Sequence, residues 1–115
     1  MGIENWSADT ILVHLSREPK MADELSAVTE IVRQRGDSNV VIDFSCVDIL
    51  TTPDISKLLT LRKLLIECGH QLVLCSVSEA VKGIFTVTSL DRVFEFADDK
   101  FAALTGLFQP LHNAG

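Results

Sequence analysis
Apolar positions along the chain fall into two rhythms: short unbroken runs, and stripes spaced by three and four. The runs are Thr10-Ile11-Leu12-Val13-His14-Leu15, Val40-Val41-Ile42-Asp43-Phe44 and Leu72-Val73-Leu74-Cys75. Their β-branched and apolar content suits strands buried on both faces. Trp6 falls on a short strand before the first run, with Ala8-Asp9 as the turn between them. Arg17-Glu18-Pro19 then breaks the pattern. Met21, Leu25, Val28 and Val32 step by four, three and four, one stripe of a helix whose other face carries Asp23, Glu24, Glu30 and Arg33. Gly36 closes it as a C-terminal glycine does. Ile55, Leu58, Leu59, Leu65 and Ile66 mark a second helix, ended by Gly69 in the same way. Ser78-Glu79 opens a short third helix through Val81, Ile84 and Phe85, and Val93-Phe94-Glu95-Phe96 alternates like a half-exposed strand. Asp98-Asp99 puts acid where the dipole of a last helix favours it, with Phe101, Leu104 and Leu107 as its inner face. Strands alternating with helices predict an α/β sandwich, the third and fourth strands parallel through a right-handed crossover.

Between the central strand and its helix lies Asp48-Ile49-Leu50-Thr51-Thr52-Pro53-Asp54, which must turn the chain and start the helix. Pro53 suits the first helical position, where a missing N–H costs nothing. Proline also pushes Thr52 toward extended geometry, which predicts Thr52 as the N-cap, its hydroxyl accepting a first-turn N–H. Thr51 with Asp54 matches the S/T-x-x-D/E capping pattern and competes for the same cap. Either way, a hydroxyl is held at the positive end of a surface helix.

Composition narrows the function classes. The 115 residues make one domain, predicted over residues 1–108 with a frayed tail at 109–115. A chain this long buries roughly two thirds of its unfolded surface. The formal charge is −6 and the ten basic residues form no cluster, which argues against nucleic acid or anionic membrane as partner. No apolar run approaches the ~20 residues of a membrane span. Met1-Gly2-Ile3-Glu4-Asn5-Trp6 lacks the basic and apolar regions of a signal peptide, so a cytoplasmic protein is expected. Cys46, Cys68 and Cys75 are odd in number without C-x-x-C spacing, and read as free, small hydrophobes rather than disulfides or a zinc site.

Other candidate chemistry is sparse. Asp43 ends a strand, where α/β sites gather, but such an acid more often hydrogen-bonds a neighbouring loop. His14, His70 and His112 are far apart with no carboxylate at ligand spacing, so no metal is expected. Cys46 sits beside acids, a poor setting for a thiolate nucleophile. No glycine-rich phosphate loop is present. A protein that is not an enzyme and holds no cofactor is the expectation.

Three phrases, in order, resemble the STAS domain, the family of bacterial anti-sigma-factor antagonists. Val40-Val41-Ile42-Asp43-Phe44-Ser45-Cys46-Val47-Asp48-Ile49-Leu50 is similar to the family's strand running into its switch loop. Leu72-Val73-Leu74-Cys75-Ser76-Val77-Ser78-Glu79-Ala80-Val81 resembles its next strand and helix start. Leu90-Asp91-Arg92-Val93-Phe94-Glu95-Phe96 resembles its closing strand, and the likeness spans residues 4 to 107. The resemblance implies a mixed sheet of four to five strands, covered mainly on one face by about four helices. It also implies a regulatory module that docks on an anti-sigma factor or related serine/threonine kinase through residues 50–58. In the family's switch loop, Asp-Ser-Ser/Ala-Gly, the kinase phosphorylates the first Ser; aligned on Leu50, that position is Thr52. Partner contact is then implied for Thr51, Thr52, Pro53, Asp54 and Ser56. Here Thr51 replaces the family's Asp and Asp54 its Gly, which removes one acid and adds bulk and charge. A phosphate on Thr52 adds about −1.5 to −2 charge; the helix N-terminus is expected to hold it while Asp48 and Asp54 repel it. Related proteins also serve as constitutive adaptors in lipid-transport ABC complexes and stressosome-like assemblies, the alternative reading. Self-association as a homodimer is a further expectation.

Overall fold
A computed structural model describes residues 2–107 of the chain. The expected tail at 109–115 and His112 lie outside the described residues. Five strands form one sheet: β1 (Gly2–Ser7), β2 (Thr10–His14), β3 (Asn39–Asp43), β4 (Leu72–Cys75) and β5 (Glu95–Ala97), in spatial order β1-β2-β3-β4-β5. The helices are α1 (Met21–Arg35), α2 (Thr52–Glu67), α3 (Glu79–Val87) and α4 (Lys100–Leu107). β1 pairs antiparallel with β2 across the Ala8-Asp9 turn; every later pair is parallel.

Sequential order has a consequence for the layers. Parallel strands added one after another in one direction, each through a right-handed crossover, place every connecting helix on the same face. So α1, α2 and α3 share one face. Met21, Leu25, Val28 and Val32 of α1, Leu58, Leu61 and Leu65 of α2, and Val81 and Phe85 of α3 pack there with Ile11, Val13, Val40, Ile42, Leu72 and Leu74 of the strands. Helix α4 follows the last strand and is free of that constraint. It crosses to the opposite face, where Ala103 and Leu104 meet Leu12, Val41, Val73 and Cys75. Burial on two faces is why the central strands read as unbroken apolar runs.

Local differences from the sequence pattern have local causes. The last strand is shorter than the Val93–Phe96 alternation suggests, because Val93 and Phe94 both donate N–H bonds to the Leu90 carbonyl. That turn drives Phe94 into the core, where it and Phe96 meet the edge of Phe85 at 5.5 and 5.3 Å between ring centroids. Phe101 is not an inner residue of α4: it is 62% exposed, and the adjacent Ala103 and Leu104 face the sheet instead. On α2 the core stripe is Leu58, Leu61 and Leu65; Leu59 and Ile66, each one step round the helix, lie outside it. Cys75 is buried, whereas Cys46 and Cys68 are exposed, because one sits in the turn after β3 and the other at the end of α2. Gly36, directly after α1, and Gly69, one residue beyond the Cys68 that caps α2, take φ of 69° and 80°, as C-terminal glycines do. No helix among the described residues is long and apolar enough to cross a membrane.

Candidate protein-docking site
The loop joining β3 to α2 is pinned from below at three points. Phe44, Val47 and Leu50 are buried in the core, a spacing of three that leaves Asp48, Ile49, Thr51, Thr52 and Pro53 outward. Phe44 N–H also reaches the Cys75 carbonyl, so the loop leaves the sheet from a fixed position.

The cap of α2 is Thr51, not Thr52. Thr51 is extended (φ −98°, ψ 167°), and its hydroxyl oxygen accepts from Asp54 N–H at 3.4 Å. Asp54 Oδ2 reaches back to accept from Thr51 N–H at 3.0 Å and from the Thr51 hydroxyl at 2.9 Å. This reciprocal capping box needs an acid three residues beyond the cap. Asp54 satisfies that for Thr51; for Thr52 the corresponding residue is Ile55, which has nothing to offer. The carboxylate outweighs the preference that Pro53 imposes on Thr52, which becomes the first helical residue. Its hydroxyl is exposed and has no hydrogen-bond partner among the described residues.

Two expectations change with this geometry. Asp54 is 0% exposed, so it frames the loop from beneath and does not face a partner. The helix N-terminus is also a poor cradle for a phosphate. Asp54 N–H is taken by the Thr51 hydroxyl, Ile55 N–H by the Thr51 carbonyl, and Pro53 has none. Glu18 adds a further carboxyl: its Oε2 lies 3.5 Å from Thr51 Oγ1, brought there by the loop between β2 and α1. A separation of 33 residues hid this contact from the sequence pattern.

A second polar group was equally invisible in sequence. His14 Nδ1 lies 3.0 Å from Asp43 Oδ2 and Nε2 3.0 Å from Glu4 Oε2. Parallel register aligns His14 with Asp43, and antiparallel register sets Glu4 against Leu12 on the same face. Asp43 Oδ1 accepts from Ser45 N–H at 2.9 Å, the loop bond expected of such an acid. Burial acts to raise the Asp43 pKa, but the Ser45 N–H and His14 prevail and hold it below the usual carboxylate range. The group ties the edge strand to the centre of the sheet. Among the described residues no three His, Cys, Asp or Glu side chains are placed to hold a metal ion.

A groove of about 290 Å³ runs between α1 and α2, lined by Ser26, Thr29, Glu30, Arg33, Lys57 and Thr60. Its charges are satisfied internally: Arg33 pairs with Glu30 at 2.8 Å and Lys57 donates to Ser26 at 2.9 Å.

Set beside known proteins, residues 9–103 match the family model of the STAS domain. The chain belongs to the STAS domain family. No curated protein matches it. Among solved structures, this STAS domain superposes on RsbS of Moorella thermoacetica with a TM-score of 0.81 at 18% identity, over 96% of this chain and 97% of that one. An anti-sigma-factor antagonist (STAS) domain protein from Planctomyces limnophilus gives 0.77 at 21%, over 93% and 98%. The Bacillus cell fate determinant SpoIIAA in its phosphorylated form gives 0.70 at 13%, over 92% and 97%. At these identities the likeness shows the fold: a mixed five-stranded sheet with four helices.

Proposed function
We propose that this STAS domain is a regulatory protein-binding module of the anti-sigma-factor-antagonist kind, a single domain over residues 1–108 working in a bacterial cytoplasm. It docks on an anti-sigma factor or related serine/threonine kinase through the face formed by Thr52, Pro53 and Ser56, with Thr51 at its edge. Phosphorylation of Thr52 releases it and so feeds into transcription. No catalysis, nucleic acid or membrane insertion is invoked.

One observation carries this reading: an exposed, unpartnered hydroxyl stands at the first residue of α2, on a loop whose every other anchor is buried. With Asp54 and Ile55 N–H already used and Pro53 lacking one, the first turn has little left to absorb the added charge of about −1.5 to −2, which faces the partner. It enlarges an acidic rim on a chain of formal charge −6. Release then follows from repulsion at the interface, without refolding. The shared fold of SpoIIAA, a cell fate determinant known in a phosphorylated form, supports reading this module as one that phosphorylation can switch.

The test is a pull-down from lysate of the native host with wild type and Thr52→Glu as paired baits. A kinase retained by wild type and lost by the Glu variant is expected. Transporter or stressosome-like subunits retained equally by both baits would instead make the protein a constitutive adaptor.

A further inference from the structure
The His14 ring stands between two carboxylates, one from each neighbouring strand. Nδ1 is 3.0 Å from Asp43 Oδ2 on β3, and Nε2 is 3.0 Å from Glu4 Oε2 on β1. A neutral imidazole carries one N–H and an ionised carboxylate none, so the neutral ring leaves one contact with lone pair against lone pair. Only the imidazolium donates at both nitrogens. The two ends of this bridge are unequal: the Asp43 side chain is 11% exposed, that of Glu4 57%, with His14 between them at 32%. Asp43 is also fixed by Ser45 N–H on its other oxygen, so turning away would break two bonds. Glu4 has water to turn to.

We infer that His14 is a proton-gated clamp on the edge strand: as the imidazolium it joins β1 to β3, and on losing its Nε2 proton it keeps Asp43 and releases Glu4. The proton passes to solvent and no bond between heavy atoms changes. Nε2 is the nitrogen that loses it, because its partner is the exposed carboxylate, while Nδ1–H stays on the enclosed one. The neutral ring is therefore the Nδ1–H tautomer. Around the ring, β1 brings Glu4, with Gly2 directly opposite His14 and adding no side chain, and β3 brings Asp43 in register. Beyond Asp43 lies Cys75 of β4, whose thiol burial and then the Asp43 charge push up to about 11, so it stays uncharged here. Asp99 and Lys100, where α4 begins, act on Cys75 with opposite sign. Linkage gives the direction: contacts that hold the imidazolium better than the imidazole stabilise the fold below the His14 titration and are lost as pH rises through it. The clamp closes on acidification. What it governs is how firmly β1, the outermost strand of the sheet, is held. Asp43 also anchors Ser45 N–H where the loop toward Thr52 leaves the sheet. That the clamp tunes docking through this loop rests on the function proposed above; the clamp itself does not.

The measurement is NMR of the full chain at pH steps on either side of the His14 titration, reading the ring nitrogens of His14 and the hydrogen exchange of the β1–β2 amides. Above the titration the ring is expected to keep its proton on Nδ1. After correction for the pH dependence of intrinsic exchange, the β1–β2 amides should exchange up to about fivefold faster above the titration than below it, the limit for a part-exposed ion pair. In Glu4→Gln the new amide offers both a donor and an acceptor, so it suits either state of the ring and the difference should vanish. A neutral ring protonated on Nε2 overturns the clamp, and so does wild-type exchange that is the same on both sides of the titration. A difference that survives Glu4→Gln overturns it as well. Glu4 is a surface side chain, and the first two outcomes need no variant. Since no partner is present, failure here is separate from failure of the docking reading.

Discussion

Substituting the two adjacent threonines tests the architecture of the loop most directly. Thr51→Ala removes a helix cap, a loss of about 1 kcal/mol. It also takes from the buried Asp54 carboxylate its 2.9 Å hydroxyl donor, and stranding a buried acceptor costs about 1–3 kcal/mol. The sum is roughly 2–4 kcal/mol, a large share of the 5–15 kcal/mol that holds a typical domain together. Thr52→Ala removes an exposed hydroxyl that contacts nothing, and its effect should lie within about 0.5 kcal/mol. Urea unfolding reads the difference. With m of about 1–3 kcal/mol/M, Thr51→Ala should lower the midpoint by about 0.7–4 M at unchanged m, and Thr52→Ala should leave it in place. The double variant Thr51→Ala/Asp54→Ala should cost less than the sum of its singles, because removing both partners leaves no carboxylate stranded. Equal midpoints for the two single variants would falsify the assignment of Thr51 as the cap. So would a larger loss for Thr52→Ala.

Two further outcomes follow from burial. Leu104→Ala should destabilise by about 2–4 kcal/mol by opening a cavity between α4 and the sheet, while Phe101→Ala should stay within about 0.5 kcal/mol; matched losses in thermal unfolding would mean that α4 is rotated from the orientation described. Burial, then the nearby Asp43 charge, push the Cys75 thiol up to about 11, so an excess of a thiol reagent at pH 8 should label Cys46 and Cys68 and spare Cys75 until denaturant is added, as mass spectrometry of the labelled protein can show.

The order of elements was readable because it is written in short-range rules. Strand runs, a four-three-four helical stripe and glycines after helices each involve neighbours within a few residues, and sequential strands with right-handed crossovers leave little choice of topology. Even the Thr51–Asp54 box was visible as a pattern. Its victory over Thr52 was not, since that depends on Asp54 being enclosed where both halves of the box close at once. The same limit applies wherever the partner is distant in the chain. Glu18 beside Thr51, and His14 between Glu4 and Asp43, are juxtapositions made by the sheet register and by the loop before α1. A residue's spacing says which face it shares with its neighbours, but not which charge from another element will stand opposite it. Short-range rules thus sufficed for the α/β framework and for the hydroxyl-bearing loop. Which hydroxyl is locked, which is free and which acid stands by Thr51 depend on packing between distant elements, since each needs a partner that local spacing does not specify.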